Sequence, residues 1–209
     1  MATTTTGQRA GEPGDRRVRR TREALRRTLI ELVQDRELSR ISVADVAGRA
    51  GVSRSTFYDH YRDVHELAEA ACTSMIDELV DSIPMGPAAA PGPAGAPSGT
   101  LVTFFAHLAE HARLYRGVLG PQGSARVIDH VRRRATVASY ASVCRAGGPA
   151  PGPDAATPHD VPAAFTAGAL LGVATDWLQR GCPRPPAEMA ALTWPLLVAL
   201  HAGGDRGRA

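Results

Sequence analysis

The side chains best suited to bind another molecule lie in one short stretch, residues 53–62, with the sequence SRSTFYDHYR. Ser53 is placed to cap a helix, in which Phe57 and Tyr61 would share one side and face a hydrophobic core. The other sides carry mostly short polar groups: Arg54, Ser55, Thr56, Tyr58, Asp59 and His60. Such groups can reach base edges and phosphates in the major groove, whereas a solvated helix face usually carries longer charged side chains. The stretch therefore predicts a helix that reads nucleic acid.

A second short helix should precede this stretch, separated from it by a tight turn. The apolar residues of segment 43–50 recur at the spacing of one helix face. Ser42 precedes the segment as a natural N-cap, and Asp45 follows three residues later, close to a capping box. Gly51 comes directly after the segment, where helices often end in a left-handed residue. Helix, glycine-containing turn and second helix over residues 54–61 together predict a helix-turn-helix motif.

The segment GRAGVSRSTFYDHYRDVHEL, residues 48–67, resembles the DNA-binding signature of TetR/AcrR-family transcriptional regulators. The resemblance implies that residues 54–61 form the recognition helix and that the start of the preceding helix meets a phosphate. With the cap Ser53 and the nearby cation Arg62 added, the residues expected to contact DNA in this motif are Ser42, Ser53, Arg54, Ser55, Thr56, Tyr58, His60 and Arg62. The family usually has a lysine at the start of the next helix, where this chain has Val64.

Basic charge is concentrated in the N-terminal part of the chain. Residues 1–62 contain 13 arginines against 8 acidic residues, a net charge of +5, whereas the remainder carries −2. Seven of these arginines lie within residues 16–27, where Arg19 and its neighbours could rest on phosphates or reach into a minor groove. A merely solvated end is the alternative, but the adjacent motif favours phosphate contact.

Composition and chain breaks predict an all-α protein of two domains. Only 5% of the residues are aromatic, and the predominance of Ala, Leu and Val favours helices over sheets. We expect a disordered tail over residues 1–15, a three-helix helix-turn-helix domain over 16–62, and a helical ligand-binding and dimerisation domain over 63–209. Proline and glycine dominate residues 84–99, which we expect to form a flexible loop.

The second domain offers candidate ligand-binding residues. Helices over residues 101–111, 124–145 and 161–180 would enclose an apolar pocket with a few polar anchors. The candidates are Phe104, His107, His111, Tyr115, Tyr140, Asp176 and Trp177. Each could instead be an ordinary core or surface residue. By resemblance, the helix over residues 62–82 connects this pocket to the DNA-binding domain, so that a shift at its far end would tilt the recognition helix.

The last two helices, over residues 161–180 and 186–201, are apolar on almost every side. Such helices must be buried on every side, and a partner subunit would provide the missing cover. The resemblance implies the same arrangement, since TetR/AcrR-family proteins pair these helices as a four-helix bundle. The expected interface residues are Phe165, Gly168, Gly172, Leu192, Leu196 and Leu200, with the two glycines allowing close approach.

The leading hypothesis is a cytoplasmic, ligand-responsive transcriptional regulator that needs no cofactor. As a homodimer it would bind a near-palindromic DNA operator, repress transcription and be released by a small apolar effector. A ligand-sensing dimer with weak or lost DNA binding is the alternative, because Val64 replaces the usual lysine. The absence of a signal peptide or long apolar span, together with three widely spaced cysteines, favours a reduced, cytoplasmic protein outside the membrane.

A metal-dependent enzyme is the least favoured hypothesis. The i, i+4 spacing of His107 and His111 would allow two zinc ligands on one helix. No third ligand follows at a familiar spacing, and the sequence lacks a glycine-rich phosphate loop, a nucleophile elbow or a paired-carboxylate motif. We therefore expect neither a metal site nor catalysis.

Overall fold

The computed structural model describes residues 13–82, 99–121, 123–145 and 161–204, and within these ranges the chain is all-α, as predicted. The first helices are α1, Pro13–Asp35; α2, Val43–Ala50; and α3, Arg54–Tyr58, with a 3₁₀ turn at Leu38–Arg40. The later helices are α4, Val64–Ser82; α5, Gly99–Glu110; α6, Ala112–Leu119; α7, Ala125–Arg145; α8, Val161–Gln179; and α9, Pro186–Gly204.

The first three helices form a small bundle that closes over Phe57 and Tyr61. Both rings are buried, as the spacing of the motif predicts. The aliphatic side chains around them come from α1, α2 and the segment between them, and they are Leu25, Leu29, Leu32, Val33, Ile41 and Val46. Burial of this apolar surface is what holds the short helix α3 in place, because an isolated helix of five residues is unstable in water.

α4 joins the two parts of the molecule because one face of it is buried from end to end. The buried residues are Leu67, Ala68, Ala71, Cys72, Met75, Ile76 and Leu79. The same hydrophobic core extends from Leu25 in α1 to Trp177 in α8. α7 packs across α4, and Asp77 of α4 bonds to His130 at 2.9 Å and to Arg134 at 2.8 Å. Packing and charge together fix α4 against α7.

α3 is shorter than the sequence pattern suggests, ending at Tyr58 rather than at residue 61. The main-chain N–H groups of His60 and Tyr61 both donate to the oxygen of Phe57, at 3.0 and 2.9 Å. This shared acceptor closes a turn directly after the helix. The turn still delivers Tyr61 to the core, so the early end changes the length of the helix but not its buried side.

Other helix bounds also differ from expectation. α1 begins at Pro13, inside the stretch expected to be disordered, while residues 1–12 and 83–98 lie outside the described residues. α4 begins at Val64 instead of residue 62, because the Asp63 carboxylate accepts the N–H of Glu66 at 2.8 Å and caps the helix. α6 was not expected as a separate helix, since Gly117 and the glycines that follow it break the sequence pattern there.

α8 has the length and composition of a membrane span, with 19 residues and a mean hydropathy of 1.3. The sequence had indicated no such segment. Length and apolar character are weak grounds on their own, because a core helix of a globular protein passes the same test. Here α8 packs against α5, α6, α7 and α9.

Candidate nucleic-acid interface and effector pocket

The first helix of the motif, α2, is capped as the sequence predicts. The Ser42 hydroxyl accepts the N–H of Asp45 at 3.2 Å, and the Asp45 carboxylate accepts the N–H of Ser42 at 2.9 Å. Hydrogen bonds from Ser42, with a smaller contribution from Arg36 at 3.4 Å, hold the pKa of Asp45 below its ordinary value. Arg49, near the end of α2, pairs with Glu31 of α1 at 3.4 Å. One ion pair thus links α2 to α1, and the other links it to the residue directly after α1.

The turn between the two motif helices also has the predicted chemistry. Gly51 has a φ of +69°, the left-handed conformation in which a side chain would be strained. Ser53 then caps α3, accepting the N–H of Thr56 at 3.0 Å. The hydroxyl oxygens of Ser53 and Ser55 lie 2.7 Å apart, so the start of α3 presents a cluster of hydroxyl groups.

The two sides of α3 are as different as the sequence predicts. Phe57 is completely buried, whereas the neighbouring Tyr58 is 58% exposed. Their rings meet edge to face with centroids 5.7 Å apart, so the buried ring supports the exposed one. Arg54, Ser55 and Asp59 are exposed, and Thr56 and His60 are half-buried. The outer side of α3 is therefore accessible and rich in hydrogen-bonding groups, while contact with DNA stays a prediction.

The flanks of α3 carry the remaining predicted phosphate contacts. Arg19 is exposed on α1, and Ser42 and Ser53 are exposed at the starts of their helices. Arg62 is also exposed, but its Nε lies 3.2 Å from the carboxylate of Asp63. A phosphate would therefore compete with Asp63 for this cation, and Val64 brings no charge to the start of α4.

Three of the candidate effector-binding residues meet inside the second domain. Nε2 of His107 lies 2.9 Å from the hydroxyl of Tyr115, and the rings of His107 and His111 are 5.0 Å apart. Burial lowers the pKa of both histidines, and the proximity of His111 adds to the shift at His107. Tyr115 is completely buried, which raises the pKa of its hydroxyl. These groups form a neutral polar cluster between α5 and α6.

The other candidates are more widely spread. Trp177 packs edge to face on Phe105 at 5.5 Å, and its Nε1 donates to the oxygen of Arg184 at 3.1 Å. Phe104 and Tyr140 are half-buried. Asp176 corrects an expectation, because its carboxylate is exposed and accepts two hydrogen bonds from Arg180, one turn further along α8. It is a surface residue here, since its position on α8 faces away from the core.

Two cavities in the described part of the chain lie beside the predicted pocket. The larger, about 780 Å³, runs between α1, α4 and α7 and is lined mainly by charged and polar side chains. The smaller, about 320 Å³, lies between α1 and α6 and includes His111. Neither is lined by Phe104, Tyr115, Tyr140 or Trp177. Phe104, Tyr115 and Trp177 pack instead within the core.

The sequence did not reveal that α6 contacts the first domain. A Cβ atom added to Gly117 would lie only 3.0 Å from Cδ2 of Leu38, in the 3₁₀ turn that leads to α2. This glycine therefore lets α6 approach closely. The sequence does carry a signal for α6, because apolar residues recur there at i, i+1, i+4 and i+5. They are Leu114, Tyr115, Val118 and Leu119.

One side of α8 and α9 remains uncovered. Phe165 is 59% exposed and Leu196 67%, and Val161, Leu192 and Val198 are also exposed. Gly168 and Gly172 follow Phe165 on α8 and are exposed, and a Cβ atom at either would meet nothing within 4 Å. Leu200 belongs to α9, but its side chain lies outside the described residues. A single chain thus leaves most of the predicted interface open to contact.

Within the described ranges, no three His, Cys, Asp or Glu side chains are grouped as metal ligands. Cys72 and Cys182 are free thiols, and the side chain of Cys144 lies outside the described residues. Burial raises the pKa of Cys72 to about 12. The Cys72 thiol is therefore un-ionised and acts as a packing residue of α4.

Two family models match separate parts of the chain. Residues 26–71 match the model for bacterial regulatory proteins of the tetR family, and residues 96–194 match a TetR model for the C-terminal region of transcriptional regulators. The uncharacterised HTH-type transcriptional regulator YxbF of Bacillus subtilis (strain 168) is 37% identical over 70 residues. That stretch is 31% of this chain but only 18% of the relative's length.

Solved structures share the architecture. The dihydroxyacetone kinase operon activator DhaS matches with a TM-score of 0.62 and 15% identity, over 86% of this chain and 94% of its own. A tetR-family regulator from Streptomyces coelicolor matches with a TM-score of 0.60 and 24% identity, over 88% of this chain and 81% of its own. The regulator FadR of Bacillus subtilis, in complex with stearoyl-CoA, matches with a TM-score of 0.56 and 12% identity, over 84% of this chain and 97% of its own. At these identities the likeness shows the fold alone.

Proposed function

Because the chain belongs to the TetR family of transcriptional regulators, we propose that it represses transcription as a homodimer on a near-palindromic operator and is released by a small apolar effector. It combines a helix-turn-helix DNA-binding domain with a C-terminal regulatory domain. The proposal covers the operator, the dimeric state, the direction of regulation and the effector. The cytoplasm, where the operator would be, is the proposed location.

The observation that carries the proposal is the contrast between Phe57 and Tyr58. The buried ring anchors α3 to the bundle, and the ring of Tyr58, which packs against its edge, is exposed on the outer side of α3, as is Ser55. A helix held in this way can enter the major groove without moving relative to its own domain. Its outer groups then hydrogen-bond to bases and phosphates.

The uncovered side of α8 and α9 supports the homodimer. Exposed Phe165 and Leu196 would be costly in a monomer, since each buried apolar side chain contributes roughly 1.5–3 kcal/mol. Gly168 and Gly172 leave room for a second backbone at this surface. A symmetric pair would place two copies of α3 on one side of the molecule, as a near-palindromic operator requires.

The effector site is proposed for the core between α4, α5, α6 and α8, where His107 and Tyr115 supply buried polar groups. These residues are packed in the present conformation, so an apolar effector would have to displace side chains. Binding would then favour an arrangement with α4 shifted, which is the condition for releasing DNA.

Selection of bound fragments from a random DNA pool tests the proposal directly. We expect an inverted repeat, bound by the full-length chain as two copies per duplex in a gel-shift titration at physiological salt. Recovery of random fragments only, with binding that depends on salt but not on sequence, would favour the alternative of a sensing dimer with weak DNA binding. A reporter gene placed behind the selected repeat then distinguishes repression from activation.

A further inference from the structure

The cleft of about 780 Å³ separates a wall formed by the first domain from a wall formed by the regulatory domain. α1 supplies the first wall, α7 the second, and α4 the floor between them. Small side chains on α4, Ala70, Thr73 and Ser74, leave the space open. Sites for small molecules usually have volumes of roughly 300–1,000 Å³, so this cleft can hold a whole ligand.

Two of the carboxylates that line the cleft, Asp77 and Asp129, already have partners. Asp77 bonds to His130 at 2.9 Å, and it also lies 2.8 Å from Nε of Arg134. Asp129 of α7 bonds to Arg132 at 2.6 Å. Since these negative charges are matched by protein cations, they neither attract a cationic ligand nor cancel a positive charge elsewhere in the cleft.

The two remaining carboxylates, Glu66 and Glu69, have weaker contacts. Glu66 accepts the main-chain N–H of Arg62 at 2.7 Å. Glu69 lies 3.9 Å from Arg126 of α7 and at the same distance from His65. None of the four carboxylates that line the cleft therefore pairs with α1.

The arginines on the α1 wall are the unmatched charges. Arg22 and Arg26 are spaced i, i+4 and so project from the same face of the helix. Within the described residues, no carboxylate lies within 4 Å of either guanidinium. Burial raises the pKa of the Tyr61 hydroxyl, Arg26 and Arg22 oppose the increase, and the nearby Glu66 carboxylate adds to it. Two guanidinium groups against this one carboxylate leave net positive charge where α1 faces Tyr61.

We propose that this end of the cleft binds the phosphate group of a small phosphorylated molecule, held by Arg22, Arg26 and the hydroxyl of Tyr61. A phosphate monoester carries a charge of about −1.5 to −2 at neutral pH, which two guanidinium groups would balance. Guanidinium groups also match phosphate oxygens geometrically, with two donors each. The rest of the molecule would extend over Thr73 and Ser74 toward α7.

A DNA phosphate is the competing occupant, because α1 belongs to the DNA-binding domain. The lining favours the small molecule, because residues of α4 and α7 line the cleft together with those of α1, and a ligand in the cleft would contact all three helices. The affinity of a ligand that contacts both walls would also depend on the distance between α1 and α7. The site is distinct from the core between α5 and α6 proposed for the apolar effector.

The test is calorimetric titration of inorganic phosphate into the full-length chain, without DNA, in chloride buffer at constant ionic strength. We compare the double variant Arg22→Gln/Arg26→Gln with Arg27→Gln/Arg40→Gln, which removes the same charge from exposed arginines outside the cleft. We expect the unmodified chain to bind phosphate saturably. The first variant should weaken the affinity at least about tenfold, because charge-assisted hydrogen bonds are lost. The second variant should leave the affinity within about twofold of the unmodified value. Circular dichroism verifies the fold of each variant.

Tyr61→Phe provides a second measurement, because it removes the hydroxyl and keeps the buried ring. We expect phosphate binding to weaken by about threefold to tenfold, the usual effect of one lost hydrogen bond. Absence of saturable phosphate binding to the unmodified chain would overturn the proposal, and so would equal weakening by the two arginine pairs. If Arg22→Gln/Arg26→Gln weakened binding to random DNA and left phosphate binding unchanged, the occupant would be DNA. All phosphate measurements are independent of the proposed repressor function.

Discussion

The guanidinium group of Arg113 in α6 donates a hydrogen bond to the main-chain oxygen of Gln34 in the last turn of α1. That turn contains no basic residue of its own, so Arg113 supplies the positive charge that the C-terminal end of a helix favours. With the close approach of Gly117 to Leu38, this bond joins the regulatory domain to the first domain at a place separate from α4.

Replacing Arg113 should loosen this second connection. We expect Arg113→Ala to lower the free energy of unfolding by about 1 kcal/mol, the usual net value of one hydrogen bond. Urea denaturation followed by circular dichroism measures the change. Arg126→Ala is the matched control, because Arg126 is exposed and its nearest carboxylate is 3.9 Å away, and its effect should stay within about 0.5 kcal/mol. Equal effects of the two substitutions would contradict the assigned role of Arg113.

Two adjacent substitutions should separate binding from stability in α3. Tyr58→Ala removes an exposed ring, so we expect operator affinity to fall by about tenfold or more while the unfolding free energy changes little. Phe57→Ala empties a fully buried position and should cost about 3–5 kcal/mol of stability. Gel-shift titration and urea denaturation measure the two quantities. Unchanged operator affinity of Tyr58→Ala would remove α3 from the interface.

Val64→Lys tests the departure from the family pattern at the start of α4. The half-buried Val64 stands where a lysine is usual, and the nearby Arg62 is paired with Asp63. If the position faces a phosphate, the substitution should strengthen DNA binding and steepen the dependence of log K on log salt by about 0.9 per chain, or about 1.8 for the proposed dimer. Fluorescence anisotropy at four salt concentrations gives this slope. A slope equal to that of the unmodified chain would show that residue 64 does not meet DNA.

Charge placed on the uncovered side of α8 and α9 should disrupt the dimer. Phe165→Glu/Leu196→Glu puts two carboxylates on this surface in each chain, so self-association would bury unpaired like charges. We expect light scattering after gel filtration to change from the mass of two chains to that of one. Val18→Glu, an exposed apolar residue of α1, should leave the dimer intact. A dimer that survives the double substitution would place the interface elsewhere.

The buried histidines predict that acid weakens the fold. Burial lowers the pKa of His107 and His111 in the folded state, and Glu110 opposes this effect only in part. The unfolded chain therefore binds more protons near pH 6, so stability is complete above the ordinary histidine pKa and decreases as the pH falls toward the folded values. Urea midpoints between pH 7.5 and 5 should show this decrease. His107→Gln should make the urea midpoint depend less on pH. If the variant and the unmodified chain show the same pH dependence, His107 is not the cause of the acid destabilisation.

The motif could be predicted from sequence because local chemistry determines it. Ser42 and Ser53 cap their helices, Gly51 adopts the left-handed turn, and Phe57 occupies the core, each as the residue type and spacing indicate. These features depend on contacts within a few residues along the chain. The length of α3 was overestimated because the convergence of two N–H groups on the Phe57 oxygen has no sequence signature.

The second domain was predicted less completely because its arrangement depends on distant contacts. α6 escaped notice, since its apolar positions are interrupted by Gly117, whose purpose is visible only when Leu38 lies against it. Asp176 was placed in a pocket from its helix alone, although it pairs with Arg180 on the surface. The charged cleft between α1 and α7 joins residues more than 100 positions apart, for example Arg22 and His130.

The packing of α1, α2 and α3 around Phe57 constrains how a signal can be transmitted. The buried core shared by these three helices makes them move as one unit, and the exposed pairs Arg36 with Asp45 and Arg49 with Glu31 add smaller links. Movement of α4 or α6 can then rotate or translate this unit, but it cannot rearrange the reading groups along α3. In the proposed dimer, an effector would consequently alter the half-site spacing that is tolerated and leave the preferred bases of each half-site unchanged.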